Sequence, residues 1–325
     1  MSQTRKNLIV GQSGGPTAAI NSSLYGVVKE GLRQKEKIAH VYGMVNGIEG
    51  FLKGTVLDFE EALPGEKLEY LTYTPGAYLG SCRYKLPPIK GNTEVYDKIF
   101  EILEKLEVEY FFYIGGNDSM DTIKKLSDYS LLNGSNIRFM GVPKTIDNDL
   151  AATDHTPGYG SAAKYIGSIT KEVIRDGLVY DQQNVTILEI MGRNAGWLTG
   201  AAALAKCEDC EGPDMIFLPE VTFDVDEFMK KVAELHKKKK SVVVAVSEGV
   251  KTADGRYVCE LTDGIDFVDA FGHKQLTGTA RFLAEKINRE VGCKTRAIEF
   301  NSLQRCASHI VSRVDITEAY QVGGA

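Results

Sequence analysis

The 325-residue sequence predicts an α/β fold of two lobes, each built on a mainly parallel sheet. Short apolar runs alternate with helix-period segments along the whole chain, and the length exceeds that of one ordinary domain. The content of 43% hydrophobic and 25% charged residues is typical of a globular enzyme. Glycine-rich or polar turns follow most apolar runs, and in open α/β sheets such turns surround a ligand cleft.

The individual elements follow from the spacing of apolar residues. Apolar runs predict strands at 6–10, 40–44, 110–114, 137–142, 184–190, 215–218, 241–246 and 296–300. Amphipathic or alanine-rich segments predict helices near 20–32, 95–106, 156–176, 225–235 and 277–290, and others after 117 and after 197. The lysine run 237–240 is predicted to be a solvated helix end that the helix dipole favours.

Composition and charge exclude several classes of protein. A net charge of −6 supplies no broad basic surface, so we expect neither nucleic acid nor an anionic membrane as a partner. The amino-terminal apolar run is too short for a signal peptide and no run is long enough to span a membrane, which predicts a cytoplasmic location. The six scattered cysteines suit free thiols, although Cys207 and Cys210 have metal-like or redox-like spacing.

The stretch from Pro143 to Asp149 concentrates polar side chains directly after a strand-like run. Pro143 cannot donate to a continuing ladder, so Lys144, Thr145, Asp147 and Asp149 are predicted to emerge at the carboxyl end of the strand. Open α/β sheets hold ligands at that end. The alternative interpretation is a polar turn that only caps the next helix.

The first strand leads into a glycine loop, Gly11 to Thr17, and then into an amphipathic helix. Successive backbone N–H groups in such a loop predict a phosphate site, although glycine also serves tight strand-to-helix turns. The same loop spells Gly-x-Ser-x-Gly, the nucleophile elbow of serine hydrolases, with Ser13 as the nucleophile. That alternative is disfavoured because no His-Gly-Gly-Gly motif occurs and nothing marks one histidine as the base.

A second glycine loop follows the strand near residue 110 and opens another helix. Gly115 and Gly116 let the backbone approach a ligand, while Asn117, Asp118 and Ser119 offer oxygen atoms to a hard cation or caps to the helix. Both functions remain open from the sequence.

Together these features suit phosphoryl transfer better than hydride transfer. Phosphoryl transfer needs donor phosphates held by backbone amides, a cation to offset charge, and a carboxylate that takes the proton of the acceptor hydroxyl. Asp147 is the candidate base. The arginines that could contact anions, rather than serve as surface charges, are Arg83, Arg193, Arg296 and Arg305. The sequence contains no Walker-A loop, no His-Arg-Asp set of protein kinases and no Gly-x-Gly-x-x-Gly dinucleotide fingerprint.

Five motifs, in order over nearly the whole chain, resemble those of the phosphofructokinase family. They are Gly14-Gly15 with Asn21, Gly115-Gly116-x-Asp118-Ser119, Pro143-Lys144-Thr145-Ile146-Asp147-Asn148-Asp149, Met191-Gly192-Arg193 and Gln304-Arg305. The resemblance implies two Rossmann-like lobes with a cleft between them. Residues 1–155, with part of the chain after about 303, would bind the donor phosphates, and residues 156–303 would bind the sugar phosphate.

The resemblance also implies roles for individual residues. Thr145, Asp147 and Asp149 would meet the sugar and its reacting hydroxyl, with Asp147 as the base, and Arg305 would hold the 6-phosphate of fructose 6-phosphate. The other residues expected to contact substrate are Gly15, Arg83, Met191, Gly192, Arg193, Glu248, Arg296 and Ser302.

Two positions indicate the phosphoryl donor. In the ATP-using branch of the family the positions of Asp118 and Lys144 are both glycine. Here a carboxylate would fill and repel the place of a nucleotide's α-phosphate, while an ammonium could neutralise the transferring group. The chain therefore resembles the pyrophosphate-dependent branch, which reversibly phosphorylates fructose 6-phosphate in glycolysis and gluconeogenesis. The alternatives are an ATP-dependent enzyme, an inactive subunit that only binds phosphosugar, and a Lys144 that merely pairs with Asp118 or Asp147.

Several positions depart from the family pattern. The implied cofactor is Mg²⁺, yet Asn117 stands where the family commonly has an acid, so the metal is expected to rely on Asp118 and the phosphates as well. Asn184 and Ser302 replace an arginine and a histidine of tetrameric bacterial enzymes, whereas Arg296 matches an arginine that enters a neighbouring subunit's site. We therefore expect a homodimer or higher homo-oligomer. The family also continues with another helix where this chain stops, which predicts a further C-terminal segment after residue 325.

Overall fold

A computed structural model describes residues 5–261 and 276–325. The chain divides into two compact units. The first unit comprises Met1–Ile146, Leu150–Ser161 and Arg305–Ala325, and the second comprises Asp147–Asp149 and Ala162–Gln304. The second unit is thus nearly one continuous stretch of chain, while the first takes segments from both ends. The functions assigned above to two lobes stay predictions.

The described residues form two sheets. Their strands are β1 (Lys6–Gln12), β2 (Ile38–Met44), β3 (Val56–Asp58), β4 (Val108–Gly115), β5 (Arg138–Pro143), β6 (Asn184–Ile190), β7 (Met215–Phe217), β8 (Ser241–Ser247) and β9 (Lys294–Glu299).

Helices connect most of these strands, as the alternating pattern predicts. They are α1 (Ile20–Arg33), α2 (Gly47–Leu52), α3 (Phe59–Ala62), α4 (Thr93–Lys105), α5 (Asn117–Leu132), α6 (Tyr159–Gly177), α7 (Trp197–Gly200), α8 (Val225–Lys238), α9 (Thr279–Val291) and α10 (Arg313–Gly324). Short 3-10 helices lie at Gly65–Thr72, Ala201–Ala205, Val258–Leu261, Asn301–Gln304 and Ser308–Ile310.

The sheet of the first unit has the strand order β3-β2-β1-β4-β5. All its pairings are parallel except that of β3, which runs antiparallel to β2. The chain leaves β1 toward β2 on one side and later returns to β4 on the other. The strand order therefore reverses between β1 and β4, and open α/β sheets bind ligands beyond the carboxyl ends of the strands at such a switch point.

Both faces of this sheet are covered, because successive side chains of a strand point to opposite faces. Leu8 and Val10 of β1 pack in a cluster that includes Leu24 and Val28 of α1. Ile9, between them, packs in a second cluster formed with α2, α4 and α5. The sheet is therefore buried between two helical layers.

The sheet of the second unit has the order β7-β8-β6-β9, and all its pairings are parallel. Every residue of β8 is buried, which explains its continuous apolar sequence. Side chains of α8 and α9, among them Val232, Leu283 and Ile287, pack in the core cluster of this sheet. Because β6 lies between β8 and β9, the turn that follows β6 lies next to the ends of two other strands.

Two close helix contacts complete the first unit. Glycines let α10 approach α1: a Cβ added at Gly26 would lie 2.2 Å from the carbonyl oxygen of Tyr320, and one at Gly323 would lie 2.1 Å from that of Ser23. The buried carboxylate of Asp315 accepts hydrogen bonds from the backbone N–H groups around the start of α6, at 2.8 Å from Gly158 and 3.0 Å from Ser161.

The alanine-rich segment after Trp197 departs from the prediction of a regular helix. The structure has only the short α7, followed by the 3-10 helix Ala201–Ala205. Gly200 at their junction weakens helix propagation, and the backbone becomes extended at Lys206. The prediction for the lysine run is confirmed where it ends α8, whose last turn is basic.

Among the described residues, no helix is both long and apolar enough to cross a membrane. All six cysteines are free thiols. Cys207 and Cys210 face each other across a two-residue turn, with N–H···O distances of 2.9 and 3.2 Å between their backbones.

Candidate functional site

The loop after β1 turns at Gly14, whose φ of +76° strains any residue with a side chain. Backbone N–H groups of Ser13 and Gly14 donate to carbonyl oxygens of β4 and of Cys82, at 2.9 and 3.2 Å. The hydroxyl of Ser81 donates to the carbonyl oxygen of Gly14 at 2.6 Å. These bonds fix the loop to the segment that carries the half-buried Arg83.

Lys144 is buried, with 2% of the residue exposed, and lies under the same loop. Its Nζ donates to the carbonyl oxygens of Ser13 at 3.0 Å and Gly15 at 2.7 Å. Its backbone N–H donates to the carbonyl oxygen of Gly115 at 3.0 Å. Because a buried ammonium needs hydrogen-bond partners, these carbonyls hold a cation in place where β1 and β4 end.

Two cations lie beside the glycine pair of this loop. A Cβ added at Gly14 would lie 3.6 Å from Nζ of Lys144, and one added at Gly15 would lie 3.9 Å from the guanidinium of Arg305. Burial raises the pKa of the Cys306 thiol, while Arg305 and Lys144 act to lower it, so both cations also act on this one thiol. The N–H groups of Ser13 and Gly14 already donate to carbonyl oxygens of the protein, so the two cations, rather than these amides, give the loop the chemistry of an anion site.

The second glycine loop opens α5 without a side-chain cap. Gly116 is the N-cap residue and no side chain caps the helix there, so the alternative in which Asn117, Asp118 or Ser119 is the N-cap finds no support. Asp118 lies instead in the first helical turn, where a negative charge is favourable. Gly115 is required sterically, because a Cβ there would lie 1.9 Å from the hydroxyl oxygen of Ser119.

This helix start offers hard oxygen ligands of the kind that Mg²⁺ prefers. They are the carboxylate of the half-buried Asp118 and the amide oxygen of the exposed Asn117. Within the described part of the chain, one group of three side chains has ligand atoms close enough to share a metal ion. It consists of His40, Asp58 and Glu60 and lies outside this loop. A single carboxylate with one amide therefore fits a Mg²⁺ ion that takes most of its oxygens from phosphates and water.

Thr145 belongs to the first unit, and its N–H donates to the carbonyl oxygen of Pro157 at 3.2 Å. Asp147 and Asp149 belong to the second unit, with Asp147 half-buried and Asp149 exposed. Between them Asn148 adopts a φ of 56°, a left-handed conformation that asparagine tolerates better than most residues.

In the second unit, hydrogen bonds hold the turn after β6 against the end of β8. The N–H of Gly192 donates to Oε1 of Glu248 at 3.4 Å, and the hydroxyl of Ser247 donates to the carbonyl oxygen of Gly192 at 2.6 Å. A Cβ at Gly249 would lie 2.1 Å from the carbonyl oxygen of Arg193, so the backbones are in direct contact. The structure thus brings together Gly192, Arg193 and Glu248, which sequence motifs separate by more than 50 residues.

Glu248 has a strongly raised pKa. Burial raises its pKa to about 7, and the charges of Glu189 and Asp147 act in the same direction. The N–H of Gly192 and the charge of Arg193 oppose this shift. A carboxyl group that ionises near neutrality can either accept or donate a hydrogen bond to a sugar hydroxyl.

Gln304 holds the turn after β6 in place, although the sequence analysis predicted no function for it. The residue is buried, its Oε1 accepts from the N–H of Met191 at 3.4 Å, and its Nε2 donates to the carbonyl oxygen of Asn301 at 3.0 Å. Its place beside Arg305 in the last motif is the signal that marks it. Glu189 is the other residue that the sequence did not single out, because it lies inside an apolar strand.

Arg296 and Ser302 are placed differently from the residues around Glu248. Arg296 forms an ion pair with Asp176 of the same chain, at 2.6 Å. Ser302 is exposed on the 3-10 helix Asn301–Gln304. A role for Arg296 in a neighbouring subunit would require this ion pair to be shared or broken.

The serine-hydrolase alternative finds no support in the geometry. Ser13 is buried, and helix α1 begins only at Ile20, so Ser13 does not occupy a sharp strand-to-helix elbow. Its side chain interacts with the phenol of Tyr113.

Comparisons with known proteins identify the family of the chain. A family model described as "Phosphofructokinase" matches residues 7–324. The pyrophosphate–fructose 6-phosphate 1-phosphotransferase of Halomonas elongata is 40% identical over 319 residues, covering 98% of this chain and 75% of that protein. The crystal structure of a pyrophosphate-dependent phosphofructokinase from Nitrosospira multiformis matches with a TM-score of 0.85 and 36% identity, over 99% of this chain and 75% of that chain. A sulfofructose kinase of Alkalicoccus urumqiensis is 31% identical over 315 residues, covering 97% of this chain and 77% of that protein.

Proposed function

The chain belongs to the phosphofructokinase family, and from this premise we propose that it transfers a phosphoryl group from pyrophosphate to fructose 6-phosphate. The acceptor is the 1-hydroxyl of the sugar, and the products are fructose 1,6-bisphosphate and phosphate. The reaction is proposed to be reversible, as in the pyrophosphate-dependent branch that the sequence resembles. The relatives that carry this name support the choice of donor.

The observation that carries the proposal is the buried Lys144 beneath the glycine loop. Its ammonium lies 3.6 Å from the Cβ position of Gly14, so an anion bound on this loop would lie beside a fixed positive charge. Fixed charges that need no rearrangement stabilise the charge that develops on a transferring phosphoryl group. Arg305, beside Gly15, adds a second cation to the same loop.

Asp118 supports pyrophosphate over ATP as the donor. Its carboxylate lies in the first turn of α5, where the helix N-terminus would otherwise attract a phosphate. A negative charge there repels a further phosphate of a nucleotide, whereas pyrophosphate needs no room beyond its two phosphoryl groups.

The acceptor residues have separate roles in the proposed reaction. Asp147 takes the proton of the 1-hydroxyl as the hydroxyl oxygen attacks the terminal phosphorus of pyrophosphate, and phosphate leaves. Thr145 and Asp149 orient the sugar. Glu248, with the turn that contains Met191, Gly192 and Arg193, binds its hydroxyl groups.

The remaining assignments concern phosphate and metal. Arg305 is assigned to the sugar 6-phosphate, although its place beside Gly15 also suits the transferring group. Arg83, Arg296 and Ser302 are assigned to substrate as well. Mg²⁺, held by Asp118 and Asn117 together with phosphate oxygens, would supply charge neutralisation at the donor. We further propose a cytoplasmic homodimer or higher homo-oligomer.

Donor assays test this function directly. Product formation is measured with pyrophosphate and with ATP as donors. The acceptors are fructose 6-phosphate, which gives fructose 1,6-bisphosphate, and sulfofructose, which gives its 1-phosphate. We expect turnover with pyrophosphate and fructose 6-phosphate, and the reverse reaction with phosphate. Turnover with ATP and none with pyrophosphate would refute the choice of donor, and light scattering of the active enzyme checks the oligomer.

A further inference from the structure

Glu189 is a buried carboxylate to which the proposed reaction assigns no function. It lies on β6, with 4% of the residue exposed, and accepts hydrogen bonds from the N–H groups of Ala280 at 2.7 Å and Gly278 at 3.3 Å. These groups begin α9, a helix of 13 residues whose N-cap, Gly278, provides no side-chain cap. Glu189 therefore caps a helix from a neighbouring strand, a stabilising arrangement for a carboxylate.

The register of the sheet places Glu189 next to the acceptor residues. Glu189 pairs with Val246 of the parallel β8, and Glu248 follows Val246 by two positions. Side chains two residues apart along an extended chain point to the same face, so Glu189 and Glu248 extend on the same side. Glu189 also precedes Met191 of the substrate turn by two residues.

The electrostatics show that these acids interact. The charge of Glu189 contributes to the raised pKa of Glu248. Burial raises the pKa of the Cys259 thiol to about 11, and both glutamates add to that shift. Glu189 and Glu248 therefore both act on the thiol of Cys259, which stays protonated at neutral pH.

We infer that Glu189 is a positioning residue for the sugar-binding turn, because it fixes the start of α9 to β6 and places a carboxylate beside Glu248. The inference rests on the proposed function only in naming the ligand of Glu248 as a sugar. It predicts that Glu189 affects substrate affinity without touching the substrate.

Several other charged groups also act on the ionisation of Glu189 and Glu248. Glu248 faces Glu189 of β6, Asp147, Arg193 and Cys259. Glu189 faces the amides at the start of α9 and the charge of Glu299 on β9, and burial raises its pKa to about 7. Ionisation of either glutamate therefore disfavours ionisation of the other.

This coupling has a measurable consequence for substrate binding. Sugar hydroxyls that donate to Glu248 bind its ionised form best, so the KM for fructose 6-phosphate should rise as pH falls below about 7. Without the charge of Glu189, Glu248 stays ionised at lower pH. The rise in KM should then begin at lower pH.

The experiment compares Glu189→Gln with the parent enzyme and with Glu285→Gln, an exposed position of the same helix. KM and kcat for fructose 6-phosphate are measured from pH 5.5 to 8.5, and ¹³C-labelled glutamate side chains are titrated by NMR. Glu189→Gln should shift the KM profile and the Glu248 resonance to lower pH by roughly half a pH unit, with kcat at pH 8 within about twofold of the parent. Glu285→Gln should leave both profiles unchanged.

An unchanged profile and an unchanged Glu248 midpoint in Glu189→Gln would overturn the inference and leave Glu189 as a helix cap alone. If Glu189→Gln does not fold, Glu248→Gln provides the reciprocal test, because its effect on the Glu189 midpoint must be equal in direction. An unshifted Glu189 resonance in that variant would also overturn the inference. The NMR titration needs no activity, so a failure of the proposed reaction would be seen separately, as a parent enzyme that does not turn over.

Discussion

The Nζ atom of Lys144 lies 2.7 Å from the carbonyl oxygen of Gly15, and the two residues are 129 positions apart in the chain. The contact joins the end of β5 to the loop after β1, two strands that β4 separates in the sheet. It fixes an ammonium group against the loop that we propose to bind the donor phosphates. The reaction with the donor should therefore depend on this side chain.

Replacement of Lys144 by methionine should abolish most turnover with pyrophosphate. Methionine fills similar space but provides no charge, so we expect a fall in kcat of roughly 10²- to 10³-fold. Steady-state assays with pyrophosphate and fructose 6-phosphate measure the effect. Lys124→Met is the matched control, because Lys124 is exposed and pairs with Asp128 on α5. Equal rates in Lys144→Met and the control would show that the ammonium takes no part in the reaction.

Asp147→Asn should lower kcat by roughly 10²- to 10⁴-fold with little change in the KM for fructose 6-phosphate, because an amide cannot take the hydroxyl proton. Asp128→Asn, at a half-buried position of α5 that pairs with Lys124, is the control and should retain full activity. Single-turnover measurements separate chemistry from product release. Retention of kcat in Asp147→Asn would remove Asp147 as the base.

Glu248→Gln should stabilise the protein progressively as pH rises. Burial raises the pKa of Glu248 from 4.5 to about 7, so between these values the folded protein binds more protons at this site than the unfolded chain. The contribution of Glu248 to the free energy of unfolding therefore falls as pH rises through this window. Relative to the parent, the variant should gain up to about 3 kcal/mol between pH 4.5 and 8, and less where solvent screens the half-buried carboxylate. Thermal unfolding at several pH values tests this, and a difference that does not depend on pH would contradict it.

Asp315→Ala should destabilise the first unit. Its carboxylate accepts from the N–H groups of Gly158 and Ser161, which then lose their buried partner, at a cost of about 1–3 kcal/mol. Chemical denaturation measures the loss. Asp226→Ala, at an exposed position in the first turn of α8, should change stability much less. Equal midpoints for the two variants would show that the Asp315 cap contributes nothing.

The sequence predicted best the elements whose signal is local. Strand β6 has the predicted limits, Asn184–Ile190, because a strand buried on both faces is rich in apolar residues. The three-residue β3 has no such signal, since its residues are half-buried and its place depends on pairing with β2. The break between α7 and the following 3-10 helix could not be predicted either, because the alanine-rich sequence favours a continuous helix.

Sequence motifs predicted which residues belong to the candidate substrate site, but not the contacts that those residues make. The bonds of Lys144 to the first loop depend on strand order, which no local pattern encodes. The capping function of Glu189 depends on residues about 90 positions later in the chain. Buried acids acquire such functions only when the sheet and its helices are assembled.

The glycine contacts between α1 and α10 have a consequence for synthesis of the protein. On the ribosome, α1 emerges early, but the backbone that packs against Gly26 is made only after the whole of Ala162–Gln304. That segment can fold as the chain grows, whereas the first unit must wait for α10 with part of α1 still uncovered. We expect nascent chains stalled before residue 313 to expose this surface of α1 to chaperones, and the exposure to end once α10 has left the exit tunnel.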